Sequence, residues 1–166
     1  MFDFLRRRPS QNPQPAGSLE RLSNLARTCL TADAAKELQA SQKLPEFLRL
    51  ASGIVPADSL IELPLAKHVV YSLASGYSPA ETVLHAFKLT LAVRLTTSAG
   101  DDIVKLLAMS GAAVSGVKQM AKWRDSGAIR SELFENDLKA ITGMVYPSPA
   151  SDGWIKKVMI EYSSAP

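Results

Sequence analysis

The chain has 166 residues, of which 46% are hydrophobic and 21% are charged, and its formal net charge is +3. This length is typical of one domain, and the balance of apolar and charged residues is that of a globular protein rather than a disordered chain. No stretch approaches the run of about 18 apolar residues that a membrane-spanning helix needs. The composition predicts a folded domain but does not identify an activity.

The positive charge is concentrated near the N-terminus. Residues 1–17 hold three arginines and one aspartate, and the rest of the chain, residues 18–166, is nearly neutral. A nucleic-acid-binding domain usually carries a dense basic stripe that neutralises several phosphates. We therefore expect no nucleic-acid partner.

Residues 1–17 are predicted to form a flexible basic tail, because three prolines and a glycine interrupt any regular element there. The tail combines apolar side chains with arginines, a pattern that could contact an acidic membrane surface or a partner groove. The candidate contact residues are Phe2, Phe4, Leu5, Arg6, Arg7 and Arg8. The alternative is a frayed terminus without a binding role.

Cysteine usage and the N-terminal pattern both bear on the compartment. Cys29 is the single cysteine of the chain, so it cannot form an internal disulfide, which favours a reducing compartment. The apolar stretch at the N-terminus is too short for a secretory signal. We expect a cytoplasmic protein, with a peripheral position at the inner membrane as the alternative. The pattern is compatible with a bacterial accessory protein.

Helix signals recur along residues 18–166, which we predict to be a single all-α domain. Ser18 and Thr31 are suited to cap the first and second helices. Pro45 suits the first turn of a third helix, which Gly53 can close. Prolines at helix starts and tight turns favour a compact orthogonal bundle of about seven to nine short helices over a long four-helix bundle.

A helical hairpin is predicted in the middle of the chain. Pro64 begins one helix, which ends near Gly76, and only a short helical turn fits before it. Ser78 and Glu81 then form a capping box, in which each side chain accepts from the backbone N–H of the other residue. A loop this short makes the two helices antiparallel neighbours, and the apolar pattern places the second helix in the centre of the fold.

The C-terminal part is predicted to hold further helices. Asp101 or Asp102 can begin a helical segment that ends at Ser126–Gly127 and forms two helices or one bent helix. Another helix begins near Ser131 and stops before Gly143.

The last part of the chain is less regular in pattern. Residues 144–150 contain two prolines and are predicted to be extended, whereas Trp154–Tyr162 fits a helix or a strand, of which we favour the helix.

Catalytic motifs are absent from the sequence. It contains no phosphate-binding glycine-rich loop, no dinucleotide fingerprint, no nucleophile elbow and no metalloprotease helix. One cysteine cannot supply a cysteine-rich zinc site. We therefore expect no cofactor, and we favour a protein without enzymatic activity.

One constellation could carry chemistry. His68 and His85, the two histidines, lie at similar distances before and after Tyr77, so antiparallel helices should bring them to similar heights. Glu81 lies one helical turn before His85. Two imidazoles and a carboxylate are the composition of a metal site or of an acid–base site. The simpler alternative is a surface contact between Glu81 and His85 with an unrelated His68.

A partner-binding surface is predicted in the C-terminal half. Small residues that allow close helix approach lie near an aromatic side chain flanked by cations, and tryptophan and arginine are favoured at interfaces. The candidate partner-binding residues are Gly111, Gly116, Lys122, Trp123 and Arg124. In the alternative interpretation, Trp123 closes the end of the core.

Three functions remain open from the sequence. We favour a non-enzymatic interaction or adaptor protein that binds a protein partner or a second copy of itself. The first alternative is a peripheral membrane protein that uses the N-terminal tail. The second is a metal-dependent or acid–base enzyme centred on His68, Glu81 and His85.

Overall fold

The computed structural model describes residues 15–56, 59–97 and 115–145. Every regular element in these ranges is helical, which confirms the predicted all-α class. The helices are α1 (Pro15–Cys29), α2 (Ala32–Ala40), α3 (Lys43–Ala51), a 3₁₀ turn (Ser59–Ile61), α4 (Leu63–Ala74), α5 (Pro79–Thr97), α6 (115–125) and α7 (Ser131–Val145).

The helix boundaries in the first third follow local chemistry. The side chain of Thr31 accepts a hydrogen bond from the N–H of Ala34 and caps α2, as predicted. Pro45 lies in the first turn of α3, where its missing N–H costs nothing. Gly53 follows the end of α3 with a φ of +81°, a conformation that glycine adopts without strain.

The central hairpin has the predicted form. Pro64 lies in the first turn of α4, and Gly76 follows that helix with a φ of +93°. The hydroxyl of Ser78 accepts from the N–H of Glu81 at 3.1 Å, and the carboxylate of Glu81 accepts from the N–H of Ser78 at 3.0 Å. This reciprocal pair is the capping box that starts α5.

Two predicted boundaries were wrong. Ser18 lies inside α1 rather than at its cap, because Pro15, whose fixed φ suits a first turn, already belongs to the helix. Residues 15–17, which were predicted to belong to the flexible tail, are therefore helical. Helix α7 does not stop before Gly143 but continues to Val145, so the first two residues of the segment predicted to be extended are helical. A glycine inside a helix costs only about 1 kcal/mol relative to alanine, so one glycine does not have to end a helix.

The core surrounds α5. This helix packs against α3, α4 and α7, and α1 packs against α3 and α4. Its central position agrees with the broad apolar pattern of its sequence. The largest side chains that are fully buried are Phe47, Phe134, Leu22, Leu44, Leu73, Leu84, Met120, Ile129 and Ile141.

Several predicted features lie outside the described residues. These are the N-terminal tail up to residue 14, the helix start at Asp101 or Asp102, the small residue Gly111 and the segment Trp154–Tyr162. Among the helices that the structure describes, none combines the length and the apolar character needed to cross a membrane.

Candidate functional site

The titratable side chains of α5 form two polar networks. The first, which we call the Glu81 clamp, consists of Ser78, Glu81 and Arg130. The carboxylate of Glu81 accepts from the Arg130 side chain at 2.7 Å and from the backbone N–H of Arg130 at 3.2 Å, in addition to its capping bond with Ser78. The hydroxyl of Ser78 donates to the carbonyl of Ala128 at 2.8 Å. The clamp therefore ties the start of α5 to the turn before α7.

The Glu81 carboxylate is buried but remains charged. Burial by itself raises the pKa of Glu81, whereas the hydrogen bonds from Arg130 and from the Ser78 N–H lower it and prevail, so its pKa lies below the ordinary value. The Arg130 guanidinium also lies over the ring of Tyr77, 5.4 Å from its centroid. Charge, hydrogen bonds and ring contact all hold Arg130 in one place.

The second network, which we call the polar seam, lies where α4, α5 and α7 meet. It consists of His68 and Ser72 on α4, His85 and Lys88 on α5, and Asp137 on α7. Asp137 is 5% exposed. One of its oxygens accepts a hydrogen bond from the Lys88 ammonium, and the other lies 2.7 Å from Nδ1 of His85.

The contact between His85 and Asp137 is close, and it is an ion pair only when His85 carries a proton. The Oδ2 oxygen of Asp137 is buried and receives no hydrogen bond of good geometry from the described part of the chain. Burial raises the pKa of Asp137, but the contacts with His85 and Lys88 lower it further, and the net pKa lies below the ordinary value. Asp137 is therefore a buried anion held by two side chains of α5.

The two histidines meet, whereas the hairpin geometry predicted only that they lie at similar heights. The rings of His68 and His85 are 6.0 Å apart between centroids and perpendicular to each other, and Tyr77 makes a similar contact with His85 at 5.0 Å. Nε2 of His68 lies 3.3 Å from the hydroxyl of Ser72. Burial, followed by the positive charges of His85 and Lys88, lowers the pKa of His68 despite an opposing effect of Asp137.

The structure does not bring Glu81 to the histidines. Its carboxylate is bound by Arg130 and by its own helix start, and His85 is paired with Asp137 instead. Among the described residues, no group of three or more histidine, cysteine or acidic side chains is arranged to hold a metal ion. Neither the predicted ligand set nor the simpler Glu81–His85 contact is the arrangement that the structure shows.

The predicted partner-binding residues lie mostly against the chain itself. Gly116 is buried, and a Cβ at this position would be 3.4 Å from side-chain atoms of Ile54 and Phe87. Trp123 packs against the core, in line with the alternative that it closes the core. The guanidinium of Arg124 lies over the ring of Phe134, 4.9 Å from its centroid, which leaves Lys122 as an exposed member of the set.

Sequence reasoning missed Lys88, Arg130 and Asp137. A signal for Asp137 was present, since it lies on the apolar stripe of α7 with Phe134 and Ile141, where a carboxylate needs a buried partner. No comparable signal marks Arg130, because it lies in a turn and its partner is on a distant helix.

The networks hold charges in place rather than gather free reactive groups. A carboxylate at Nδ1 of His85 fixes the orientation of that ring, as it does for a catalytic base, but the ring is also flanked by Tyr77 and His68.

Comparison with protein-family models, with curated proteins and with solved structures finds no match for this chain.

Proposed function

We propose that the chain is a non-enzymatic interaction or adaptor protein of the cytoplasm, built as a compact orthogonal bundle. The observation that supports this proposal best is the outer face of α4. Of the large apolar side chains in the described residues, Leu63 and Tyr71 are the exposed ones, at 46% and 47%. Both lie on α4, about two helical turns apart.

The neighbouring positions extend this face. At about 100° per residue, the exposed side chains of α4 fall within roughly one quadrant of the helix, while the opposite side is buried in the core. We define the α4 outer face as Leu63, Pro64, Lys67, Tyr71 and Ala74. It combines four apolar or small side chains with one cation, which is a composition suited to a protein partner.

The exposed side chain of Tyr71 is restrained by a hydrogen bond to α1. Its hydroxyl donates a hydrogen bond of 2.9 Å to the carbonyl of Cys29 at the end of α1, so its ring is restrained while it remains exposed. A restrained aromatic ring loses little conformational entropy when a partner binds, and tyrosine is favoured among residues that contribute most to binding. Glu81 is paired with Arg130 and Asp137 with Lys88, and this engagement of both buried carboxylates supports a role without catalysis.

Direct binding tests this proposal. Proteins that copurify with the full chain from its native host are identified and expressed, and the dissociation constant of each with the purified chain is measured. We expect the double variant Leu63→Ser, Tyr71→Ser to weaken binding by about tenfold or more, because truncating a residue at the centre of an interface costs about 2 kcal/mol or more and about 1.4 kcal/mol is a factor of ten. The matched control is Lys36→Ser, Gln39→Ser, two exposed positions of α2.

Two outcomes would contradict the proposal. The first is a chain that remains a monomer and binds none of the copurifying proteins after purification. The second is a partner that binds the α4 double variant as tightly as the control, which would remove the α4 outer face from the interface.

A further inference from the structure

The polar seam holds more potential positive charge than negative charge. Asp137 contributes one carboxylate, Lys88 one ammonium, and His68 and His85 two imidazoles that can each take up a proton. The seam joins three helices, since His68 belongs to α4, His85 and Lys88 belong to α5, and Asp137 belongs to α7. A change of charge at His68 therefore alters its electrostatic interaction with side chains on the other two helices.

The surroundings of His68 leave a proton on it poorly compensated. On its own helix it contacts the hydroxyl of Ser72, which is neutral. The charged groups that act on it are His85 and Lys88 on α5 and Asp137 on α7. The Asp137 carboxylate lies against Lys88 through one oxygen and against His85 through the other, so its single negative charge is shared with two side chains of α5 before it acts on His68.

We propose that the polar seam is a proton-sensitive latch, closed while His68 is uncharged and opened when His68 takes up a proton, because a further positive charge then lies beside Lys88 and His85, which share a single carboxylate. The inference concerns regulation of the fold and does not depend on which partner the chain binds. Opening separates α4 from α5 at the seam and loosens α7, which reaches the same site through Asp137.

The direction of the pH effect follows from His68. Its pKa in the folded chain lies below the ordinary value of 6.5, first because of burial and then because of the neighbouring cations. The unfolded or opened chain therefore binds the proton more readily than the closed chain. Stability is unaffected well above pH 6.5 and falls as the pH falls from that value toward the lower pKa of the closed state.

Hydrogen exchange on the whole protein tests the latch. After correction for the intrinsic pH dependence of exchange, we expect acidification from about pH 7.5 to about pH 5.5 to speed exchange in α4 and α7 at least threefold relative to α2 and α3. Helices α2 and α3 serve as an internal reference, since they contribute no residue to the seam. Uniform acceleration, or none, would overturn the proposal.

A matched pair of variants isolates the proton on His68. His68→Gln keeps a polar side chain near Ser72 but cannot be charged, and we expect it to abolish the selective acceleration. Lys67→Gln removes the charge of the adjacent, exposed position and should keep the selective acceleration of exchange. An unchanged response in His68→Gln would mean that another group opens the seam.

Proton NMR of the unaltered chain keeps the proposal testable even if a variant does not fold. With two histidines in the chain, both imidazole titrations can be followed and assigned. We expect His68 to titrate below 6.5, to move upward in Lys88→Gln and further downward in Asp137→Asn. A His68 that titrates at or above 6.5 would overturn the latch.

Discussion

The carboxylate of Glu81 binds both the side chain and the backbone N–H of Arg130, a residue 49 positions later in the chain. The same carboxylate caps its own helix through the N–H of Ser78. One side chain therefore satisfies donors from two helix starts, those of α5 and α7. A local helix signal has become a long-range tertiary contact.

Replacing Glu81 should destabilise the fold strongly. Glu81→Ala removes the acceptor of two part-buried hydrogen bonds, those from the N–H groups of Ser78 and Arg130, and each such bond contributes about 1 kcal/mol. We expect the free energy of unfolding to fall by about 2 kcal/mol or more in urea titrations. The control is Glu135→Ala, an exposed glutamate on α7. Equal losses in both variants would show that the clamp contributes nothing specific.

The two caps seen in the structure should differ in strength. Ser78 takes part in a reciprocal capping box and also donates to Ala128, whereas the single bond from Ala34 to Thr31 is long at 3.4 Å. We expect Ser78→Ala to cost about 1–2 kcal/mol and Thr31→Ala about 0.5 kcal/mol. Thermal unfolding of the two variants provides the comparison, and the reverse order would contradict it.

Asp137 should make the protein sensitive to strong acid. Its pKa lies below the ordinary value of 3.8 in the folded state, so its contribution to stability is complete above that value and is lost as the pH falls through the lower folded pKa. We expect Asp137→Asn to be less stable at neutral pH and to lose less stability on acidification below about pH 4.

The matched control for Asp137 is Asp125→Asn. Asp125 pairs with Arg124 but its side chain is 63% exposed, so solvent screens that pair. Its acid response should equal that of the unaltered chain. If Asp137→Asn also kept the full acid response, Asp137 would not be the carboxylate that matters in this range.

Gly116 should tolerate a methyl group but not a larger side chain. A Cβ would sit 3.4 Å from Ile54 and Phe87, which requires a small adjustment, while the change to alanine favours the helix by about 1 kcal/mol. We expect Gly116→Ala to change stability by less than about 1 kcal/mol, and Gly116→Leu to destabilise by about 1–3 kcal/mol. The same pair of changes at exposed Ser115 should have little effect. A harmless Gly116→Leu would contradict this packing.

The sequence allowed accurate predictions for several features whose cause is local. The caps at Thr31 and Ser78, the glycines after α3 and α4, and the proline in the first turn of α4 each act within a few residues, so their roles are visible in the sequence. The short loop also predicted similar heights for His68 and His85, but not that their rings face each other.

The rest of the site depends on how distant helices pack. Asp137 reaches His85 because α7 lies against α5, and nothing near either residue specifies that pairing. The expectation that Glu81 would face His85 failed for the same reason, since Arg130 in a later turn draws the carboxylate away. Which of several polar neighbours a charged side chain selects is decided by tertiary packing.

The Glu81 clamp also has a consequence for the chain during its synthesis. Ser78 and Glu81 can close their capping box as soon as α5 leaves the ribosome, but Arg130 follows 49 residues later. At roughly 5–20 residues per second, that separation is a delay of several seconds. Throughout that interval, Glu81 lacks the side chain of Arg130, and the side of α5 that packs against α7 lacks its partner.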